Sequence, residues 1–246
     1  MLSVQSVSDK KTDKQTIGIY GEKKAVDNLT LEIKDGEIYG FIGHNGAGKT
    51  TTLKACMGIL AFDDGEILIN GISINERPLE SKKICAYIPD NPDMYSYLTG
   101  IAYLNFVGDV YGVDSVKRAQ LIKKYTSAFG IEKDLASPIG TYSHGMKQKL
   151  AIAAAWLHEP KLIIMDEPFV GLDPKASHIL KEMMREHCEN GGSIFFSTHV
   201  LDVAEKLCDK VAIIKSGKLL VTGNMDDVKG DASLEEVFLD LEDEDD

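Results

Sequence analysis

Residues 43–50 restrict the fold of this chain more than any other feature. They read Gly43-His44-Asn45-Gly46-Ala47-Gly48-Lys49-Thr50. This sequence fits the pattern G-x-x-x-x-G-K-[ST], and it lies between a strand-like run at 37–42 and a predicted helix at 49–60. Glycines let backbone N–H groups wrap around phosphate oxygens, and the start of a helix adds the positive end of its dipole. The segment therefore predicts a nucleotide-binding loop, because an incidental glycine-rich turn needs neither flanking element.

The side chains of this loop have separate predicted roles. Lys49 supplies a mobile positive charge for the β- and γ-phosphates, the Thr50 hydroxyl can ligate Mg²⁺, and Thr51 offers a further donor. His44 stands at a variable position of the pattern and is expected to be an ordinary loop residue. The predicted nucleotide-binding residues of the loop are Gly43, Asn45, Gly46, Ala47, Gly48, Lys49, Thr50 and Thr51.

Strand-like and helical runs alternate along the chain, which predicts an α/β fold around a mostly parallel sheet. Strands are expected at 29–33, 37–42, 66–69, 84–88, 162–165, 193–196 and 211–214. Helices are expected at 49–60, 176–187, 200–207 and 235–241. From 98 to 158 the apolar residues recur at helical spacing without a convincing strand, which indicates a helical insertion in the α/β core.

Two further polar sites follow predicted strands. The apolar run 162–165 ends in Asp166 and Glu167, and the run 193–196 leads to His199. Ligands of open parallel sheets gather at the carboxyl ends of strands. Asp166 is therefore predicted to hold Mg²⁺, and Glu167 to orient and polarise an attacking water. A lone histidine is usually structural, but the place of His199 at a strand end favours a functional role, in which it hydrogen-bonds the γ-phosphate and helps to fix the water.

Composition limits the partners of the chain. Its 246 residues suit one large or two small domains. The formal net charge is −12, and about −7 remains without the acidic residues at 242–246. This is the wrong sign for a protein held to nucleic acid or anionic lipid by a basic face. No nucleic-acid partner is expected, and the acidic terminus is interpreted as a solvated tail.

The cysteines and the apolar runs favour a cytoplasmic location. The four cysteines are scattered, without metal-ligand spacing, which favours reduced thiols in a cytosolic protein. No run approaches the roughly 18 apolar residues that span a bilayer, and the polar segment 1–14 does not resemble a signal peptide. A membrane role is therefore expected to depend on a partner.

Taken together, these motifs resemble those of ABC ATPases, and the resemblance extends over nearly the whole chain. Tyr20 matches the aromatic that stacks on adenine in that family, and His199 matches its switch histidine. The segment 142–146 stands where the family signature belongs, and Gly171-Leu172-Asp173 matches a loop that crosses the dimer interface. The resemblance implies a P-loop NTPase core at 1–89 and 160–230 with an antiparallel β subdomain. It also implies a helical subdomain at 90–159, and a short helix with an acidic tail at 231–246, all in one ABC ATPase domain.

The sequence departs from the family pattern at two places. The usual signature Leu-Ser-Gly-Gly-Gln is replaced by Tyr142-Ser143-His144-Gly145-Met146, which keeps the serine and the second glycine. Ser143 and Gly145 are the parts that explain phosphate contact, so the site is expected to be competent. Asp90 stands where the family usually has a glutamine that contacts Mg²⁺, with Asn91 as the alternative. A carboxylate can still coordinate Mg²⁺, but it cannot donate a hydrogen bond as an amide does.

The resemblance also implies a mechanism. Two such domains face each other head to tail with ATP and Mg²⁺ between them, and Lys49, Glu167 and His199 act in catalysis. Ser143, Gly145 and Asp173 complete the site of the other subunit, which is a second copy or a paralogue. The domain would drive a separate transmembrane permease at the cytoplasmic face, and a groove near residues 94–98 would receive that permease.

Three interpretations of the function remain at this point. The first is the motor of a transporter, with export favoured because residues after 221 leave little room for a regulatory domain. The second is a regulatory ABC ATPase that acts on a membrane protein without transport. The third is a soluble ABC ATPase that acts on DNA or the ribosome, which the single phosphate loop and the negative charge disfavour.

Overall fold

Strands and helices alternate along the computed structural model, which describes residues 2–10 and 24–243. The strands of these ranges are β1 (Leu2–Lys10), β2 (Lys24–Ile33), β3 (Ile38–Ile42), β4 (Asp64–Ile69), β5 (Ile72–Ser73), β6 (Cys85–Ile88), β7 (Leu162–Asp166), β8 (Ser193–Thr198), β9 (Lys210–Lys215) and β10 (Lys218–Asn224). The helices are α1 (Lys49–Cys56), α2 (Pro78–Lys83), α3 (Gly100–Val110), α4 (Ser115–Ala128), α5 (His144–Ala155), α6 (Pro174–Glu189), α7 (Leu201–Leu207), α8 (Met225–Lys229) and α9 (Leu234–Asp243).

The main sheet has the strand order β10-β9-β3-β8-β7-β6, and all its pairings are parallel except that of β10 with β9. Every residue of β3, β7 and β8 is buried, as expected for central strands that are covered on both faces. The predicted α/β fold with a mostly parallel sheet is confirmed. Parallel pairing brings the carboxyl ends of these strands to one edge, where Gly43, Glu167 and His199 follow them.

A separate antiparallel sheet has the order β2-β1-β4-β5, which confirms the expected antiparallel β region. Strand β1 was not predicted, because polar residues dominate the segment. Within it Leu2, Val4 and Val7 are buried, while Gln5 and Ser6 face solvent. Four further elements were not predicted, namely the edge strands β5 and β10 and the short helices α2 and α8.

The predicted helical block at 98–158 contains α3, α4 and α5, together with 3₁₀ turns at Glu132–Asp134 and Ile139–Thr141. Within these described residues, the only β pairing is an isolated bridge between Thr99 and Pro138. Helix α5 packs against α3, α4 and β6 and places this block on the face of the sheet opposite α1. The exact subdomain boundaries at 89/90, 159/160 and 230/231 stay a prediction.

All four predicted helices differ from the observed ones at one or both ends, and two of these differences have a visible cause. Helix α1 ends at Cys56 rather than at residue 60, because Gly58 takes a left-handed φ of 59° and turns the chain. Helix α9 begins at Leu234, whose N–H donates to the Glu205 carboxylate at 3.0 Å. In no part of 2–10 or 24–243 is there a helix with the length and apolar character needed to cross a membrane.

Helix α9 is anchored by Phe238, which is buried and lies edge-on to the His44 ring with 5.0 Å between the ring centroids. We expect Phe238→Ala to lower the free energy of unfolding by about 3 kcal/mol, the usual loss for a buried phenylalanine. The neighbouring Leu239 is 53% exposed, so Leu239→Ala should change it by less than about 0.5 kcal/mol. Urea titrations of both variants test this, and equal midpoints would contradict the docking of α9.

Candidate functional site

A cavity of about 670 Å³ opens at the carboxyl edge of the main sheet. The predicted loop residues form one wall and the strand-end carboxylates form another. Its lining residues are Lys24, Ala25, His44, Asn45, Gly46, Gly48, Lys49, Thr50, Thr51, Lys54, Leu60, Asp90, Asp166, Glu167 and Ser216. The structure thus brings together the phosphate-loop residues, the acidic pair and Asp90, as the strand order predicts.

Two glycines of the loop are required by close backbone packing. A Cβ on Gly43 would lie 2.4 Å from the carbonyl oxygen of Ile214, and one on Gly48 would lie 2.5 Å from that of Ala25. Gly48 also has a φ of 109°, which side chains rarely adopt. The loop is therefore held against β9 and β2, and these backing residues could not be identified from the loop sequence alone.

The start of α1 has the free N–H donors and the positive charge that suit an anion. Gly48 provides no side-chain cap, and the first turn carries no acidic residue, so its N–H groups face the cavity without a local acceptor. Lys49 is 6% exposed, and its Nζ donates to the carbonyl oxygens of Gly43 at 2.5 Å and His44 at 3.3 Å. Its ammonium group therefore lies inside the loop, and phosphate oxygens can replace the two carbonyl oxygens as its hydrogen-bond acceptors.

Asp166 connects the loop to two strands. It is 1% exposed, and its Oδ2 accepts a hydrogen bond from the Thr50 hydroxyl at 2.6 Å. Its Oδ1 accepts one from Ser197 at 2.5 Å. Ser197 was not predicted as a site residue, although its place in β8, paired with Asp166, gives it this role. The hard oxygen donors of Thr50 and Asp166 suit Mg²⁺, which proteins hold through one or two carboxylates together with phosphates.

Glu167 has an unusual backbone and a close cationic environment. Its φ is 46°, which is rare for a side chain other than glycine and is found preferentially at functional sites. Its N–H donates to the Ser197 hydroxyl at 3.1 Å, which fixes this turn to β8. Its Oε1 lies 2.9 Å from His199 Nδ1 and 3.5 Å from Lys49 Nζ, but no donor is aligned on it in the described chain. That oxygen is therefore available to another donor.

Asp90 follows β6 and reaches the same cavity, whereas its neighbour Asn91 does not line it. Asp90 is exposed, and its Oδ1 accepts a hydrogen bond from the backbone N–H of Asn91 at 2.8 Å. The position therefore favours Asp90 over Asn91 as the residue of this loop that lines the cavity. Its role as a metal ligand stays a prediction.

The predicted signature residues form a second cluster. Ser143 caps α5 by accepting from the backbone of Met146, and Gly145 packs so closely that a Cβ would lie 2.7 Å from the Gly171 carbonyl oxygen. Asp173 caps α6 and pairs with Lys149 at 2.6 Å. The hydrogen bond from Lys149, followed by those from the start of α6, lowers the pKa of the Asp173 carboxyl. None of Ser143, Gly145 and Asp173 lines the loop cavity of the same chain.

Tyr20, the predicted adenine-stacking residue, lies outside the described residues. The described chain resumes at Lys24, and Lys24 and Ala25 line the cavity. The interpretation of Tyr20 therefore stays a prediction.

A parallel sheet whose central strand runs through a glycine-rich loop into a helix, with a buried aspartate at a nearby strand end, defines a P-loop nucleotide-binding protein. A family model described as "ABC transporter" matches residues 26–170. The ABC-type transporter ATP-binding protein EcsA of Bacillus subtilis (strain 168) is 35% identical over 94% of this chain and 96% of its own length. The linearmycin resistance ATP-binding protein LnrL of the same organism is 34% identical over 85% of this chain and 67% of its own.

Solved structures agree with these relatives. An ATP-binding subunit of an ABC transporter has a TM-score of 0.91 and 35% sequence identity, over 98% of this chain and 99% of that one. The chain belongs to the ABC transporter family, as an ATP-binding subunit. The predicted family and fold are thus confirmed.

The loop glycines provide a direct test of the site. Gly48→Ala introduces both a strained φ and a backbone clash, and we expect it to abolish binding of a fluorescent ATP analogue. Gly46 also has a positive φ of 86°, but its Cβ would meet open space. Gly46→Ala should therefore weaken binding by only about tenfold, from strain of about 1–2 kcal/mol. Equal affinities of the two variants for the ATP analogue would contradict the close packing of the loop against β2.

Proposed function

We propose that this chain is the ATP-hydrolysing motor of an ABC transporter, and that two ATP-binding domains close head to tail around the nucleotide. The proposal rests on one observation, which is that the predicted site residues fall into two separate groups, called half-sites below. The cavity at 43–51 holds the phosphate loop and the carboxylates, whereas Ser143, Gly145 and Asp173 belong to another part of the same chain. One subunit would therefore supply the loop, and the other would supply the α5 start.

In this proposal the chain binds ATP and Mg²⁺ with the groups already described. The N–H groups of the loop and of α1 hold the phosphates, with Lys49 released from its carbonyl acceptors to join them. The Thr50 hydroxyl and Asp166 would hold Mg²⁺, and Asp90 lines the same cavity. Bound Mg·ATP supplies the γ-phosphoryl group and the cation that neutralises its charge.

Glu167 is proposed to accept the proton of the attacking water. Lys49 and His199 lie near its Oε1, but neither donates an aligned hydrogen bond to it. This oxygen can therefore accept a hydrogen bond from the attacking water. His199 is 48% exposed after β8 and lies 2.9 Å from that carboxylate, and in this proposal it also donates to the transferred phosphoryl group.

Glu167→Gln keeps the shape of the side chain but removes the proton acceptor. We expect it to reduce ATP hydrolysis by about a hundredfold or more while ATP binding persists. Because the product does not form, the ATP-bound dimer should accumulate on size-exclusion chromatography. A variant as active as the wild type, or a monomer at saturating Mg·ATP, would contradict the proposal.

Ser143→Arg in the Glu167→Gln background tests whether the half-site that contains Ser143 is needed for dimerisation. We expect the double variant to bind ATP but remain monomeric, since a bulky cation replaces the cap of α5. Ser127→Arg makes the same replacement at an exposed serine of α4 and serves as the control. Dimerisation of both double variants would refute the assignment of Ser143.

A second cavity of about 280 Å³ is proposed as the docking groove of a transmembrane permease. It lies directly after Asp90, between the end of β6 and helices α3 and α5. The stacked rings of Tyr111 and His158, 3.6 Å apart, form part of its wall. The exposed aromatics Tyr95, Tyr97 and Phe106 lie together beside it. An exposed apolar patch of this kind is typical of an interaction site.

Phe106 is 46% exposed, and we expect Phe106→Glu to abolish recovery of a polytopic partner when the tagged chain is purified from gently solubilised membranes. ATP binding should be unchanged, because Phe106 does not line the nucleotide cavity. Leu79→Glu introduces the same charge at a residue that is 75% exposed and belongs to α2, and should leave recovery intact. Equal recovery of both variants would contradict the groove.

Export is the proposed direction, and the cytoplasmic face of the membrane is the proposed location. The relative LnrL is named for linearmycin resistance, which agrees with export for that protein. Transport of substrates into inverted vesicles that contain the reconstituted complex tests the direction. ATP hydrolysis without vectorial movement would favour a regulatory ATPase instead.

A further inference from the structure

The hydroxyl group of Tyr87 is buried and has no hydrogen-bond partner among the described residues. A buried hydroxyl without a partner destabilises a protein, because nothing replaces the hydrogen bonds it would make with water. Phenylalanine would fill the same space without that cost. The hydroxyl therefore requires an explanation that its contacts within the described residues do not provide.

The sheet register places Tyr87 beside the nucleotide site. Tyr87 of β6 pairs with Ile164 of β7, so their side chains share one face of the sheet. Asp166 follows Ile164 by two residues and lies on that same face, where Ser197 pairs with it. Tyr87 also packs with the apolar cluster that includes Leu53 of α1. Its ring thus lies behind the wall that carries Asp166.

The surroundings keep this hydroxyl protonated. Burial, followed by the negative charges of Asp166 and Asp90, raises the pKa of the Tyr87 phenol far above its usual range. Tyr87 is therefore a hydrogen-bond donor close to two carboxylates. Both oxygens of Asp166 already accept hydroxyl donors, from Thr50 and Ser197, whereas one oxygen of Asp90 accepts only from a backbone N–H.

We propose that Tyr87 is a positioning residue, and that its hydroxyl donates to the Asp90 carboxylate when Mg·ATP binds. In this proposal the loop after β6 moves inward, which Asp90 allows because it is exposed and lies only three residues further along the chain. The hydrogen bond would fix the orientation of the carboxylate beside Mg²⁺ and offset part of the negative charge that Asp90 adds near the phosphates. This inference rests on the proposed binding of Mg·ATP.

Tyr87→Phe removes only the hydroxyl, and two readouts identify its role. Without ligand, thermal unfolding should occur at the same or a higher temperature than in the wild type, since an unpaired polar group is lost. The Mg²⁺ concentration that half-saturates ATP binding should rise about tenfold, the effect of one hydrogen bond to a charged group. ATP binding in EDTA should be unchanged. Tyr125→Phe, in α4, removes another buried phenol and should alter neither the Mg²⁺ dependence nor EDTA binding.

A double-mutant cycle with Asp90→Ala tests the acceptor. If Tyr87 acts through Asp90, the double variant should need no more Mg²⁺ than Asp90→Ala alone. Independent, multiplying effects would overturn the proposal, as would a Tyr87→Phe variant that is less stable without ligand and unchanged in its Mg²⁺ dependence. Failure of the wild type to bind ATP in any condition would instead refute the proposed function.

Discussion

The carboxylate of Asp166 lies almost without solvent contact and is held by two hydroxyl groups from different elements. Thr50 brings the start of α1 to it, and Ser197 brings β8. Because a buried charge is stable only when it is hydrogen-bonded, these contacts fix the helix and both strands relative to one another. The Ser197 hydroxyl also accepts from the backbone of Glu167 and so determines where the next carboxylate points. The geometry of the whole cavity follows from this one buried group.

The same constraint supports the proposed division of the site between two subunits. The loop and the carboxylates occupy the carboxyl edge of the main sheet, whose strands fix their spacing. Ser143 and Asp173 instead cap helices of the other face, and the contact of Gly145 with Gly171 joins these caps into one unit. Because the sheet is rigid, the loop and the helix caps of one chain cannot move into contact with each other. Completion of a site by a second domain is therefore the arrangement that the packing favours.

Much of this arrangement could be predicted from local sequence, and the remainder depends on distant residues. The loop 43–50 and the Asp166-Glu167 pair were predictable because each motif carries its own flanking strand. The role of Ser197 was not, since only the register of β8 against β7 brings it to Asp166. Strand β1 was missed because three buried apolar side chains among polar ones give little signal. Contact between His44 and Phe238 joins residues that no local pattern relates.

The position of β3 has a consequence for biosynthesis. This strand lies between β8 and β9, and the backbone N–H of Ile38 donates to Asp209, 171 residues further along the chain. Pairings of such long sequence separation form slowly, and synthesis proceeds from the N-terminus. The phosphate loop is thus translated long before the strands that hold it. Nucleotide can stabilise the finished fold, but a nascent chain must reach β9 before ATP has a site to bind.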